Sequence, residues 1–341
     1  METTISTIFR AKAPLRISFA GGGTDVSPYL EEHSGCTLSC TIDKYCYATL
    51  IPGNHDIEVH SLDYDSFAVY KPDQKLDYDG KLDLVKGVLN VMHMKEDLEI
   101  FLHSDVPIGT GLGSSSTMTV ALVGAANSWK RTTLTDYELA EMAYHIEREE
   151  VGIKGGKQDQ YAATFGGFNY IEFHKDKTVV NPLRIEPDIL NELQYRLILC
   201  YTGKRRLSAG IIEDQVQRYR AGNSETVAAL HITKQLGSDM KNALLLGKID
   251  EFGRLMEEGW LAKRKFSEKM TDPDIDELYE TAKKHGATGG KLLGAGGGGY
   301  FLILCEHNKW HQVTEAIMRL GLKKVDFAFE FNGLQTWRTH G

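Results

Sequence analysis

No apolar run in this chain reaches the roughly 18 residues that a transmembrane helix needs, so no membrane partner is expected. The first ten residues, METTISTIFR, lack the apolar stretch of a secretory leader, and a cytoplasmic chain is expected. Positive charge is short: 39 lysines and arginines face 47 aspartates and glutamates, a net charge of −8. That balance argues against a nucleic-acid partner, because phosphate backbones need a basic footprint. A local basic patch for a small phosphorylated ligand stays open. Cys36, Cys40, Cys46, Cys200 and Cys305 are odd in number and lack zinc spacing, so reduced structural thiols are expected. The twelve histidines show no H-x-x-x-H or similar spacing. No G-x-x-x-x-G-K-[ST] exists, which excludes a Walker A loop. Long repeats and low-complexity segments are absent too.

What is present is an ordinary globular composition, 42% hydrophobic and 25% charged, over 341 residues. One hydrophobic core stops growing at roughly 250–300 residues, so two closely packed domains are expected. The first half reads as strands at 13–20, 45–51, 57–61, 67–70 and 98–103, with a helix at 82–94 between them. A small apolar helix follows at 114–129. Thr135 with Glu138 forms a capping box that opens a helix to about residue 151. A short helix at 159–165 and a hairpin at 168–174 and 178–183 complete this half. After a strand at 195–201 the chain turns helical, at 208–219, 227–246, 249–270 and 273–285. It returns to strand at 290–293 and 300–305, then helix at 310–320 and strand at 324–331. The pattern is α+β, with a boundary near residue 190.

Three glycine clusters carry the chemistry. The strongest is Pro107-Ile108-Gly109-Thr110-Gly111-Leu112-Gly113-Ser114-Ser115-Ser116, placed between a strand and a helix. Glycines let successive N–H groups turn to one point without Cβ clashes. The helix start adds unpaired N–H groups and a positive dipole end. Serine hydroxyls can bind phosphate oxygens or Mg²⁺. The rival reading is a glycine turn with a serine-rich cap. Three alternate glycines before three serines favour the anion cradle.

The second cluster, Lys291 to Gly299, satisfies G-x-G-x-x-G at Gly294, Gly296 and Gly299. A dinucleotide fingerprint must open a helix, and a strand follows here instead. A glycine loop that approaches a ligand or another backbone is the better reading; a tight β-turn is the alternative. In the third cluster, Ala13 to Asp25, alternation puts Leu15, Ile17 and Phe19 on one strand face and Arg16 and Ser18 on the other. Arg16 then points into a cleft or sits solvated at an edge.

Taken in order, these clusters resemble the motifs of the GHMP kinases, the superfamily of galactokinase, homoserine kinase and mevalonate kinase. The likeness spans residues 13–299. The run A-P-L-R-I-S-F-A-G-G-G-T-D and the stretch Gly156-Lys157-Gln158-Asp159-Gln160-Tyr161 resemble the heptose phosphate kinase branch. Fucose kinases share a related first motif.

The resemblance implies a two-domain α+β fold. Residues 1–190 would form a ribosomal-protein-S5-like domain, and 191–341 a ferredoxin-like α/β domain. It implies ATP and Mg²⁺ as cofactors, with Pro107, Gly109, Gly111, Leu112, Gly113 and Ser114–Ser116 at the phosphates. Asp159 matches the catalytic aspartate and Arg16 its basic partner. Glu147 matches the Mg²⁺ ligand, with Ser115 or Ser116; a solvated acidic helix face is its rival. Asp25 would bind sugar hydroxyls beside Gly22, Gly23 and Thr24, with Gly296 and Gly297 closing on the substrate.

The implied reaction is transfer to the anomeric C1 hydroxyl of a heptose 7-phosphate, giving a 1,7-bisphosphate for nucleotide-activated heptose synthesis. For the existing phosphate, Lys204-Arg205-Arg206 precedes a helix from Ser208. Arg205 or Arg206 with Ser208 would hold it, or the cluster is a plain basic surface turn. Other sugar kinases of fucose or galactose type, and a sugar sensor without turnover, are the alternatives. A monomer or a homodimer fits equally.

Overall fold

The computed structural model describes residues 7–53, 55–62, 66–72, 74–204 and 209–340. Among the described residues the elements run β1 (Thr7–Ala20), α1 (Tyr29–His33), β2 (Gly35–Pro52), β3 (Ile57–Ser61), β4 (Ser66–Tyr70), α2 (Asp83–Val91), β5 (Leu98–Ser104), α3 (Ser114–Lys130), α4 (Asp136–His145), α5 (Gln158–Phe165), β6 (Phe168–Phe173) and β7 (Thr178–Pro182). The later part has α6 (Pro187–Arg196), β8 (Leu197–Tyr201), α7 (Ala209–Arg220), α8 (Ser224–Leu245), α9 (Ile249–Lys263), α10 (Pro273–Lys284), β9 (Ala287–Leu292), β10 (Tyr300–Cys305), α11 (Trp310–Arg319), β11 (Lys323–Val325), β12 (Phe329–Glu330) and β13 (Gln335–His340).

Two sheets result. The larger has the path β13-β1-β2-β5-β3-β4, with β6 and β12 also on β2, and β7 on β6. Its spine is β2, long enough at 18 residues to pair with β5 through its second half and β6 through its first. The smaller sheet runs β11-β8-β10-β9, all antiparallel. Mixed helices and sheets in two halves are the expected α+β architecture.

The core follows from side-chain alternation. Leu15, Ile17 and Phe19 of β1 are 0–1% exposed and point into the main core. The small residues of α3 let that helix lie close on β1 and β2; at Gly124 a Cβ would meet Leu334 at 2.7 Å. A second apolar cluster lies on the smaller sheet, built from Trp260, Phe301, Ile303, Leu278 and Val313. All five cysteines are buried thiols, and no described helix is long and apolar enough to cross a membrane.

Several elements differ from the pattern reading, each for a tertiary reason. The chain does not part once at residue 190. Phe329–Glu330 and Gln335–His340 return to pair with β2 and β1 of the first sheet. The single strand expected at 324–331 is therefore two short ones on different sheets. Residues 187–196 are helical, with Pro187 in the first turn, and β8 starts only at Leu197. Gly35 to Ile42 are also strand, because β1 and β6 pair with them from both sides. The helix expected to reach residue 270 stops at Lys263, so that Phe266 and Met270 fold back toward the cavity described next.

Candidate active site

One cavity between the sheets gathers all three glycine clusters. It is lined by Arg16, Gly22, Gly23 and Asp25 from the first, Gly109, Gly111, Gly113 and Ser114–Ser116 from the second, and Leu293, Gly294, Ala295, Gly296 and Gly298 from the third. Asp159 and Glu147 also line it.

The middle loop turns through three left-handed glycines, Gly109, Gly111 and Gly113, at φ of +78°, +91° and +80°. These three glycines line the cavity with Ser114, Ser115 and Ser116, and the start of α3 adds its unpaired N–H groups and its dipole. The third loop is pressed against it. Tyr300 N donates to Thr110 O at 2.9 Å, and a Cβ on Gly111 would lie 2.5 Å from Leu293 O. Gly111→Ala therefore combines a left-handed backbone with a clash against rigid backbone. It is expected to cost about 2–4 kcal/mol of stability. Gly109→Ala, with nothing within 4 Å, is expected to cost only the backbone part, about 1 kcal/mol. Chemical denaturation of the two variants checks the difference.

Arg16 is 2% exposed. Its Nε and Nη2 both reach Asp159 Oδ1, at 2.8 and 2.5 Å, and its Nη1 donates to Gly111 O at 2.6 Å. Arg16 thus ties the carboxylate to the glycine loop. Asp159 sits in the first turn of α5. Its Oδ2 receives no hydrogen bond from the described residues and lies beside Gly113, where a Cβ would be 3.3 Å away.

Glu147 is 1% exposed. The capping box forms as expected, but α4 ends at His145 and continues as a π-helical turn, Ile146–Glu150. Such bulges are frequent at functional sites, and this turn carries Glu147 inward rather than onto a solvated face. Ser115 Oγ donates to Glu147 Oε1 at 3.1 Å and Ser116 Oγ to Oε2 at 2.6 Å. Gln160 Nε2 donates to Oε2 at 2.6 Å, and Arg148 Nη1 lies 3.3 Å from Oε1. Arg148 also donates to Ile153 O and Gly156 O, closing the 153–156 loop over the site.

Asp25 is 1% exposed and accepts from Gly23 N and Gln158 N, both at 3.0 Å. Burial, with Asp159 nearby, pushes its carboxyl up from the usual range; the amide hydrogen bonds pull the other way. From the third loop, Gly296 and Gly298 line the cavity.

Four expected contacts are not made in the way the motifs suggest. Thr24 is fully buried and spends its hydroxyl on Gly21 O and Cys36, so it shapes the turn and does not face the cavity. Gly297 is tied by its N–H to Met270 O, and Gly298 takes its place on the wall. Leu112 is a core side chain, present at the site only through its carbonyl, which accepts from Arg16 N. Pro107 accepts from Thr110 Oγ1 and braces the loop rather than lining the cavity. Arg205, Arg206 and Ser208 lie outside the described residues; Lys204 is paired with Asp272 and Asp274 at 2.7 and 2.6 Å.

Sequence reading missed Arg148, Gln158, Gln160, Gln215, Lys263, Phe266 and Met270. The glutamines flank Asp159 and stood inside a quoted motif without a role. Arg148 was hidden in an acidic run. A second cavity, lined by Phe67, Tyr70, Leu82, Lys86 and Met118, adjoins the middle glycine loop and shares Ser115 with the first cavity. Its strands showed only ordinary β-pattern.

Residues 83–167 match the model of the GHMP kinases N terminal domain, and residues 240–319 that of the GHMP kinases C terminal. Over 96% of its length the chain is 38% identical to a D-glycero-alpha-D-manno-heptose 7-phosphate kinase of Campylobacter jejuni, and covers 98% of it. It is 26% identical over 92% of its length to a galactokinase of Thermococcus kodakarensis, covering 94%. A crystal structure of a D-glycero-D-manno-heptose 1-phosphate kinase from Bacteroides thetaiotaomicron superposes with a TM-score of 0.82 at 36% identity, covering 96% of this chain and 98% of that one. Full-length likeness at this identity, on top of three glycine loops meeting around Asp159, places the chain among ATP-dependent sugar kinases: it belongs to the GHMP kinase family.

Proposed function

We propose that the chain phosphorylates D-glycero-D-manno-heptose 7-phosphate at its anomeric C1 hydroxyl, with ATP as donor, giving the 1,7-bisphosphate. The relatives named for heptose phosphates support this substrate. The observation that carries the reaction is the placing of Asp159 Oδ2, free of hydrogen bonds from the described residues, beside Gly113 of the phosphate loop.

In this reading the glycine loop at Gly109–Gly113 and the start of α3 hold the β- and γ-phosphates. The adjoining cavity takes the purine, packed between Tyr70, Leu82 and Met118. Glu147 with Ser115 and Ser116 forms an all-oxygen donor cluster, which fits Mg²⁺, an ion that takes one or two carboxylates and fills its shell with phosphate oxygens and water. Bound there, Mg²⁺ supplies charge neutralisation to the phosphates. Asp25, with Gln158, orients the sugar hydroxyls. Asp159 Oδ2 accepts or steers the proton of the attacking hydroxyl, while Arg16 fixes Oδ1. Phosphoryl transfer asks the protein chiefly for such positioning and electrostatics.

A substrate panel with MgATP tests the reading. Heptose 7-phosphate, heptose 1-phosphate, free heptose, L-fucose and galactose are compared by ADP release, with the product located by phosphorus NMR. The 7-phosphate is expected to give the highest kcat/KM and a new anomeric phosphate. Faster turnover of fucose, galactose or the 1-phosphate would replace this substrate.

A further inference from the structure

Behind the motif residues lies a stack of buried cations. Arg16 has Asp159 as its carboxylate. Lys263, at the end of α9, and Lys291, in β9, are 8% and 7% exposed. Neither has a carboxylate within 4 Å among the described residues. Lys291 Nζ donates to Phe19 O at 3.0 Å, which fastens the second sheet to the end of β1. Lys263 is placed differently, because it lines the cavity itself.

Lys263 Nζ donates to Leu292 O at 3.1 Å and to Gly294 O at 2.5 Å. These carbonyls form the neck of the third glycine loop, at the point where Gly294 meets Gly111 of the phosphate loop. Arg16 grips the same junction from the other side through Gly111 O. An ammonium has three protons, and two are used. The third has no acceptor among the described residues, and a buried donor left unmade is costly. A lysine reads as an ordinary helix-ending cation in sequence, but an exposed one would carry no such cost.

We propose that Lys263 is a substrate-binding residue of the transfer reaction: it gives its third proton to a phosphoryl oxygen lodged between the two glycine loops, while its other two hold the third loop in place. This rests on the kinase reading. No covalent step passes through the lysine.

The surroundings support a cation kept for an anion that arrives. Burial first, then the positive charge of Arg16, pull the Lys263 ammonium down to about 7, and Asp25 opposes them only in part. The neighbouring Lys291 is held well below the usual lysine range by burial and by these same cations. Arg16 on β1, Asp25 after it, and Lys291 on β9 are thus the charged groups that face Lys263. A dianionic phosphoryl group would restore its charge.

The sign follows. In the free protein Lys263 is charged below about pH 7 and neutral above it, so kcat/KM, which reports free-enzyme ionisations, falls as pH rises through 7. In the ternary complex the phosphoryl group holds the proton on, so kcat keeps its value to higher pH. Lys263→Met removes the charge, and kcat/KM for MgATP with the sugar phosphate is expected to drop by roughly 10- to 150-fold. Lys263→Arg, charged throughout, is expected to retain activity within about tenfold and to lose the fall above pH 7.

The experiment is the full pH profile, from 6 to 9, of wild type and both variants, with thermal denaturation alongside. A flat wild-type kcat/KM overturns the proposal, as does a Lys263→Arg profile that keeps the wild-type fall. Lys263→Met within twofold of wild type also overturns it. If Lys263→Met does not fold, the Lys263→Arg profile alone decides. Wild type without ATP-dependent turnover of any sugar phosphate removes the kinase reading, and this inference with it; an active wild type with indifferent variants removes this inference only.

Discussion

Asp159→Asn is expected to lower kcat by about 10²–10⁴-fold, the usual contribution of a positioned general base. Asparagine keeps the volume, and its carbonyl oxygen still accepts from Arg16. The fold and the Arg16–Gly111 tie should survive, but buried Arg16 loses its anion, so the melting temperature is expected to fall while the protein stays folded. What disappears is the negative charge on the oxygen beside Gly113. An anomeric hydroxyl is more acidic than an ordinary alcohol, which places the loss toward the lower end for a C1 acceptor. Steady-state kinetics with unchanged KM for ATP checks this. Near-normal turnover would show that Asp159 only braces Arg16.

Glu147→Gln is the second large effect. The glutamate is enclosed by donors: two serine hydroxyls, the Gln160 amide and the Arg148 guanidinium. A glutamine there must turn its own NH₂ toward one of them, and Arg148 loses its anion. Turnover is expected to fall about 100-fold or more, and the Mg²⁺ concentration for half-maximal rate to rise more than about tenfold, since even supporting residues of metal sites cost about 10–100-fold. A Mg²⁺ titration separates the two consequences. An unchanged midpoint with reduced stability would make Glu147 a structural residue and move the metal elsewhere.

How legible these residues were depends on whether their role is local. The middle glycine loop was readable because left-handed turns at Gly109, Gly111 and Gly113 are a backbone demand that few residues meet. The helix after it and the Thr135–Glu138 cap were readable for the same reason. From strand alternation Arg16 was readable as a choice between cleft and edge, and its partnership with Asp159 was expected from the family resemblance alone; the structure buries it against Asp159 Oδ1. Thr24 and Gly297 stood inside motifs yet face away from the cavity, because neighbours in a tight turn point in different directions. Lys263 could not be found at all. Its helix has the amphipathic pattern of any surface helix, and only the seam between two sheets makes its last turn the floor of a site.

By itself, then, the order of residues determined the α+β class, the glycine turns and the set of oxygen and carboxylate groups available for phosphoryl transfer. Those are set by backbone conformations and side-chain types over a few consecutive positions. Tertiary structure alone decided that Lys263 shares one cavity with Arg16, Glu147 and Asp159, and that the final strands pair back onto the first sheet. Such long-range neighbours are selected by burial of the whole core, whose energy is spread over many weak contacts and leaves no short signature in the chain.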